Sequence, residues 1–172
     1  ITVAILFFAI GANTLTSNYV FTRDYSDALQ AKTFVIGQGL NLQLDRILRL
    51  GIQIEDLIGF EKQCQDVVNK YEEISYAMVL DTRGEILFHN DPSRHGEILT
   101  DSTSLKTLES AEKIVQVYSR QGEEFYDAAI PVLNQYEERI ATIRIGVPIK
   151  FITQKTGNLF AYSVGVALGS LG

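Results

Sequence analysis

The chain has no tryptophan and only one methionine, one cysteine and three prolines in 172 residues. With Cys64 alone, neither an internal disulfide nor a cysteine-based zinc site can form. As a small apolar side chain, Cys64 is expected in the core. Positive charge is also scarce: 15 Lys and Arg stand against 21 Asp and Glu, a net charge of -6. A nucleic-acid binder needs a basic face, and no run here interleaves Lys or Arg with aromatic rings as a single-strand binder does. The sequence also lacks a glycine-rich phosphate loop, a nucleophile elbow and a metalloprotease helix. Its acidic residues are spread along solvated faces, and no carboxylate pair stands out. Nothing in it supports catalysis, and no cofactor is expected.

Charge is missing altogether at the two ends. Residues 1–22 carry none, and Ile1 to Ala12 are almost purely apolar. Residues 156–172 carry none either, with an apolar run from Leu159 to Leu168. A membrane span takes roughly 20 apolar residues. Both runs are shorter, yet both reach the chain boundary. We read 1–22 and 156–172 as two truncated transmembrane helices in contact with lipid. For the first, a signal-peptide core is the alternative, with Ala9-Ile-Gly11 as a faint small-x-small pattern. An amphipathic pattern that continues unbroken past that point argues against it. For the second, the alternative is a buried helix. Gly165 and Gly169 add a weak small-xxx-small packing signal. Residues 23–155 would then be one domain, long enough to be exported whatever its charge.

Within the domain, apolar residues recur at helical spacing from Leu15 through Leu29, Val35, Leu40 and Leu44 to Leu48, and 13–50 contains no proline. This spacing predicts one long amphipathic helix over 13–50, ended or kinked at Gly51. A second helix is expected over 54–71, with Leu57, Ile58, Val67 and Val68 as its buried stripe. From 74 to 148 the pattern is that of a sheet. Strands over 75–80 and 85–89 flank the turn Asp81-Thr-Arg-Gly84. A short helix capped by Asp101 or Ser104 follows. Three more strands, 113–120, 124–132 and 138–147, make a meander that Pro148 stops. The order predicts an α+β fold, an antiparallel sheet with helices on one face.

Two blocks resemble one family. The first is Val79-Leu-Asp-Thr-Arg-Gly-Glu-Ile-Leu-Phe-His-Asn-Asp-Pro-Ser-Arg-His-Gly96. The second is Gly122-Glu-Glu-Phe-Tyr-Asp-Ala-Ala-Ile-Pro-Val132, followed by Ile140-Ala-Thr-Ile-Arg-Ile-Gly-Val147. Asp-x-x-Gly, a short strand and His-x-Asp-Pro, then a strand with a Pro-apolar pair and a strand ending in Gly, are similar to the single-Cache sensor domains. That resemblance implies a PAS-like sheet with a long N-terminal helix, held outside the bacterial cell membrane, periplasmic or extracellular. It also implies a small-molecule ligand, dimerisation through the long helix, and an output domain such as a histidine kinase, chemoreceptor or diguanylate cyclase. In citrate and dicarboxylate sensors of the family an Arg stands three residues before the matching His. Here that position is Ile86, which weakens a di- or tricarboxylate reading.

The candidate ligand-binding residues are His89, Arg94, Tyr118, Arg120, Tyr126 and Thr142. His89 ends a strand and would face a pocket between sheet and loop. Alternatively it tethers the loop by hydrogen bonds, or joins Asp91 and His95 around a metal. Arg94 would supply a cation, although a solvated loop position is the more ordinary fate of a long charged chain. Alternation puts Tyr118 and Arg120 on one face of their strand, and Tyr126, Ala128 and Ile130 on one face of theirs. Tyr rings and a guanidinium suit a small anion or zwitterion. A different class of function is a ligand-free module that dimerises or docks a periplasmic protein.

Overall fold

The computed structural model describes residues 2–155 and 157, with side chains from Val20 onward. The chain divides into two compact units. Gln30–Pro148 form the one that carries the sheet, and the described residues toward both chain ends belong to the other. In the latter, Phe21 and Tyr25 stack at 6.3 Å and residues 149–155 are helical. Apart from Gly157, the expected second transmembrane helix over 156–172 lies outside the described residues. Among the described residues no helix is long and apolar enough to cross a membrane.

Helix α1 runs Thr2–Leu48, which joins the expected first span and long helix into one element. Its end tightens through Leu50 N–H to Ile47 C=O (3.0 Å) and Gly51 N–H to Leu48 C=O (2.9 Å), with Gly51 at φ +87°. In the sheet unit its buried stripe is Thr33, Ile36, Leu40 and Leu44, the spacing of one helix face. Gly37 lies tightly against the sheet. A Cβ there would lie 2.3 Å from Ile130 Cδ1.

The expected helix over 54–71 is split. A single 3-10 turn at Ile54–Asp56 is followed by extended Leu57 and by Gly59 at φ +90°; helix α2 then spans Glu61–Lys70. A left-handed glycine interrupts the helical ladder, so the buried stripe moves. Phe60 and Cys64 are its buried members, whereas Ile58 is 92% exposed. Burial pushes the Cys64 thiol up to about 12. Phe60 meets Phe88 edge-on at 5.4 Å.

The five strands are β1 (Tyr76–Leu80), β2 (Ile86–His89), β3 (Ile114–Arg120), β4 (Glu123–Leu133) and β5 (Arg139–Pro148). They form one antiparallel sheet in the order β2-β1-β5-β4-β3, within a residue or two of the expected boundaries. Asp81 builds the first hairpin, since its Oδ1 accepts from the N–H of Arg83 and of Glu85, each at 2.8 Å. Gly84 supplies the positive φ that the turn needs (+88°). Pro131 pairs with Thr142 on β5, while β3 ends opposite Ala129. Its missing donor therefore faces no strand, an edge position inside a long strand.

Helices cover both faces of the sheet, not one. α1 and α2 pack against the face that carries Val79, Phe88, Ile130, Ile143 and Ile145. The other face is covered by helix α3 (Ser102–Glu109) and by the segment that precedes it. Asp101 caps α3 through Ser104 N–H (2.9 Å). The preceding segment is pinned along β2 by backbone bonds Ile86 N–H to Glu97 C=O, Gly96 N–H to Ile86 C=O and Leu99 N–H to Gly84 C=O, all 2.9 Å. The sequence pattern places this short helix but not the face it covers, which only the tertiary packing decides.

Candidate functional site

Strand register sorts the candidate residues by face. Met78 pairs with His89 and Arg144, Leu80 with Thr142, Gln116 with Asp127, and Tyr118 with Phe125. These residues, with Tyr76 and Arg120, lie on the face under α3. His89, Tyr118, Arg120 and Thr142 are thus brought to one surface, and Arg94 reaches it from the covering segment. Tyr126 is not among them. It pairs with Val117 and Val147 and faces the α1 side, half-buried. Strand alternation is the reason: Tyr126 neighbours Asp127, and only one of two adjacent residues can point to a given face.

At the centre is a charge pair that reading the sequence missed. Arg144 and Asp127 are both 0% exposed. Arg144 Nε donates to both Asp127 oxygens (3.1 and 3.0 Å), and Nη1 donates to Ser104 Oγ (2.6 Å). Its Nη2 lies 2.9 Å from Asp127 Oδ2 without hydrogen-bond alignment and finds no other partner among the described residues. The guanidinium also sits 4.6 Å from the Tyr118 ring centre, a cation–π distance. Asp127 accepts further bonds from Tyr76 O–H (2.6 Å) and Gln116 Nε2 (3.3 Å). Gly146 makes this reach possible. The Tyr76 ring crosses β5 directly over it, and a Cβ there would meet Tyr76 Cε1 at 2.0 Å. One signal was available. Asp127 and Arg144 are each the lone charge inside an otherwise apolar strand centre, and an acid and a base so placed are usually partners.

The second feature is the corner where β2 meets its loop. His89 is 4% exposed and Arg94 7%, so Arg94 is not the solvated loop charge its type suggests. Arg94 Nε donates to Glu97 (2.7 Å), which holds that carboxyl below its usual range. Asp91 N–H donates to His89 Nδ1 (2.8 Å), the loop tether anticipated as one alternative. In the neutral ring the remaining proton is then on Nε2. Arg94 Nη1 lies 3.0 Å from that same nitrogen. A guanidinium has no acceptor, so two donors face each other. The other tautomer only moves the conflict to Asp91 N–H. Arg94 Nη2 is buried without a hydrogen-bond partner among the described residues. The corner is therefore short of one acceptor.

An aromatic cluster packs between these two features. Tyr76 stacks on His89 at 6.5 Å and meets Tyr118 at 6.2 Å and Phe125 at 5.4 Å. Met78, Leu80, Ile86 and Leu99 complete the cluster. Thr142 Oγ1 and Gln116 Oε1 on the same face also lack hydrogen-bond partners among the described residues. The metal alternative is not supported by geometry. His95 Nδ1 is tied to Leu87 C=O (2.8 Å) and Asp91 Oδ1 accepts from Ser93 N–H (3.1 Å) and Oγ (2.8 Å). Among the described residues no three His, Cys, Asp or Glu side chains are placed to share an ion.

Burial first, and the Arg94 charge second, pull the His89 imidazole from 6.5 to about 4. Between those values the unfolded chain binds a proton that the folded chain does not. Stability from the neutral ring is thus present above pH 6.5 and is lost as pH falls toward 4. In urea unfolding, the unaltered chain is expected to lose stability relative to His89→Gln across that window. A pH-independent difference between the two would contradict a buried neutral ring.

A five-stranded antiparallel sheet with a long N-terminal helix, and a polar site under a short covering helix, define a PAS-like sensor fold. Residues 49–160 match the family model described as single cache domain 3. The chain belongs to that family, whose members are non-catalytic sensor domains. Its fold is similar to the sensor domain of Escherichia coli DcuS, at 16% identity and a TM-score of 0.62, covering 76% of this chain and 96% of that one. A domain assigned to the sensory box/GGDEF family from Vibrio parahaemolyticus is 12% identical, with a TM-score of 0.56 and coverage of 84% and 61%. An extracellular ligand binding receptor from Desulfohalobium retbaense is 14% identical, with a TM-score of 0.50. The match covers 72% of this chain and about a quarter, 26%, of that receptor. No curated protein matches by sequence.

Proposed function

We propose that this chain senses a small ligand outside the cytoplasm and passes its occupancy along α1 and the helix beginning at residue 149. The recipient would be an output domain such as a histidine kinase, chemoreceptor or diguanylate cyclase. The ligand lies between the sheet and the loop over 90–100, against His89, Arg94, Tyr118, Arg120 and Thr142. One observation carries this reading: the buried His89–Arg94 corner lacks an acceptor that a ligand can supply. A ligand that binds one arrangement of the covering loop better than another shifts the balance between them, and that shift is the signal. Residues 1–22 and 156–172 would anchor the domain in the lipid of the bacterial inner membrane.

Titration calorimetry against a small-metabolite panel tests the site. A ligand found in this way is expected to bind at least about ten-fold more weakly to His89→Gln and to Arg94→Gln, the loss of one charged hydrogen bond. Tyr126→Ala, on the far face, is expected to bind as the unaltered chain does. Equal affinity in His89→Gln and Arg94→Gln would reject the site.

The long helix also supports a homodimer. Ala28, Ala31, Val35 and Leu42 are exposed and follow the alternating 3–4 spacing of a helix seam; Val35 is 66% and Leu42 62% exposed. Sedimentation should show a dimer that Val35→Arg dissociates, and a monomer in both cases would contradict it.

A docking role has one observation in its favour. A cleft of about 580 Å³ is lined by Arg49, Ile52, Leu133 and Tyr136, and Leu50 (79%) and Tyr136 (73%) are highly exposed. A receptor that binds no metabolite but retains a periplasmic protein lost on Tyr136→Ala would favour this reading.

A further inference from the structure

We infer, building on the ligand site proposed above, that the ligand is a small monocarboxylate with a short apolar or aromatic body. Three buried charged side chains lie on this face: Arg94, Arg144 and Asp127. Arg144 is matched in charge, since Asp127 takes its Nε in a two-oxygen contact and lies 2.9 Å from Nη2 without hydrogen-bond alignment, and Ser104 takes its Nη1. Asp127 is in effect an internal carboxylate seated on that guanidinium, kept there by Tyr76 and Gln116. Arg94 is matched only in part. Glu97, whose side chain is 43% exposed, takes Nε, while Nη1 faces a histidine that cannot accept from both sides and Nη2 has no hydrogen-bond partner among the described residues.

The unmet demand is therefore one negative group with acceptors on two sides. A carboxylate fits: one oxygen accepts from His89 Nε2–H and the other from Arg94 Nη2, which places an acceptor between groups that now oppose each other. Beyond that corner the wall is aromatic and apolar, made of Tyr76, Tyr118, Phe125 and Met78. A second carboxylate directed inward would meet that wall and the Asp127 charge, and a buried unmatched charge is strongly disfavoured. Arg120, half-buried and in register with Glu123, stands at the rim and steers anions inward without adding a buried cation.

Calorimetry on the purified 172-residue chain with propionate, isovalerate and phenylacetate, their primary amides, and malonate and succinate tests this. At least one monocarboxylate is expected to bind ten-fold or more tighter than its own amide and than either diacid, and to lose ten-fold or more in Arg94→Gln. Should Arg94→Gln not fold, the acid-to-amide ratio on the unaltered chain decides alone. Diacids binding as tightly as the monoacids, or amides matching their acids, would overturn the inference while leaving the site in place. So would failure of all three monoacids to bind. A ligand insensitive to both His89→Gln and Arg94→Gln would instead overturn the site, and the inference with it.

Discussion

Arg144→Met is expected to cost about 3–5 kcal/mol of unfolding free energy, read as a lower urea midpoint, because it leaves the Asp127 charge buried without its cation. Both partners are 0% exposed, so no water is at hand to resolvate the carboxylate. Ser104 loses its donor from Arg144 as well, which loosens α3 from the sheet. The physical content lies in the double variant. Arg144→Met with Asp127→Leu removes both charges and is expected to recover most of the loss, since the desolvation penalty disappears with the attraction. Recovery will be incomplete because Tyr76 O–H and Gln116 Nε2 then lose their acceptor. A double variant as unstable as the single would show that the pair contributes through packing rather than charge.

Gly146→Ala should be comparably damaging, at about 2.5–6 kcal/mol, for one added methyl group. The Cβ would lie 2.0 Å from Cε1 and 2.2 Å from Cζ of Tyr76, so the ring itself must move. Overpacking costs roughly 1–3 kcal/mol, and displacing the ring also breaks a hydrogen bond to a charged group worth about 1.5–3. Unlike the tip of a flexible side chain, this ring is held on several sides, by His89, Tyr118, Phe125 and Asp127. Tyr76→Leu is expected to be costly alone but to add little in the Gly146→Ala background. Strict additivity of the two would mean that the ring finds another seat and that Gly146 is not its groove.

Much of this architecture was legible before any coordinates, and for identifiable reasons. The long helix declares itself through Leu29, Leu40 and Leu44 at helical spacing, and the first hairpin through Asp81 and Gly84 at the two ends of a turn. All five strands carry alternation or turn chemistry that local rules capture. Where the reading went astray, a residue's surroundings overrode its type. Ile58 looks like core and is 92% exposed because Gly59 turns the chain left-handed beside it. Arg94 looks like a surface charge and is buried, with Glu97 taking its Nε.

The candidate site was half readable. Tyr118 and Arg120 share a face by parity within one strand, but whether His89, Thr142 or Tyr126 joins them depends on the register between strands, which parity does not supply. Asp127, Arg144 and Ser104 meet across 17 and 40 residues of sequence, and no local rule connects them. Their lone placement in apolar strands was the available clue. The acceptor shortage at His89 is a matter of which atoms face each other, so only atomic positions disclose it.

The most direct test is nitrogen-15 correlation NMR of the chain titrated with whichever small molecule the calorimetric panel selects. The account predicts that the largest amide shifts fall on Leu87 to Leu99 and around Tyr118, with those of Arg49, Leu133 and Tyr136 left in place. Shifts centred on Arg49, Leu133 and Tyr136, with the His89 corner silent, would contradict it.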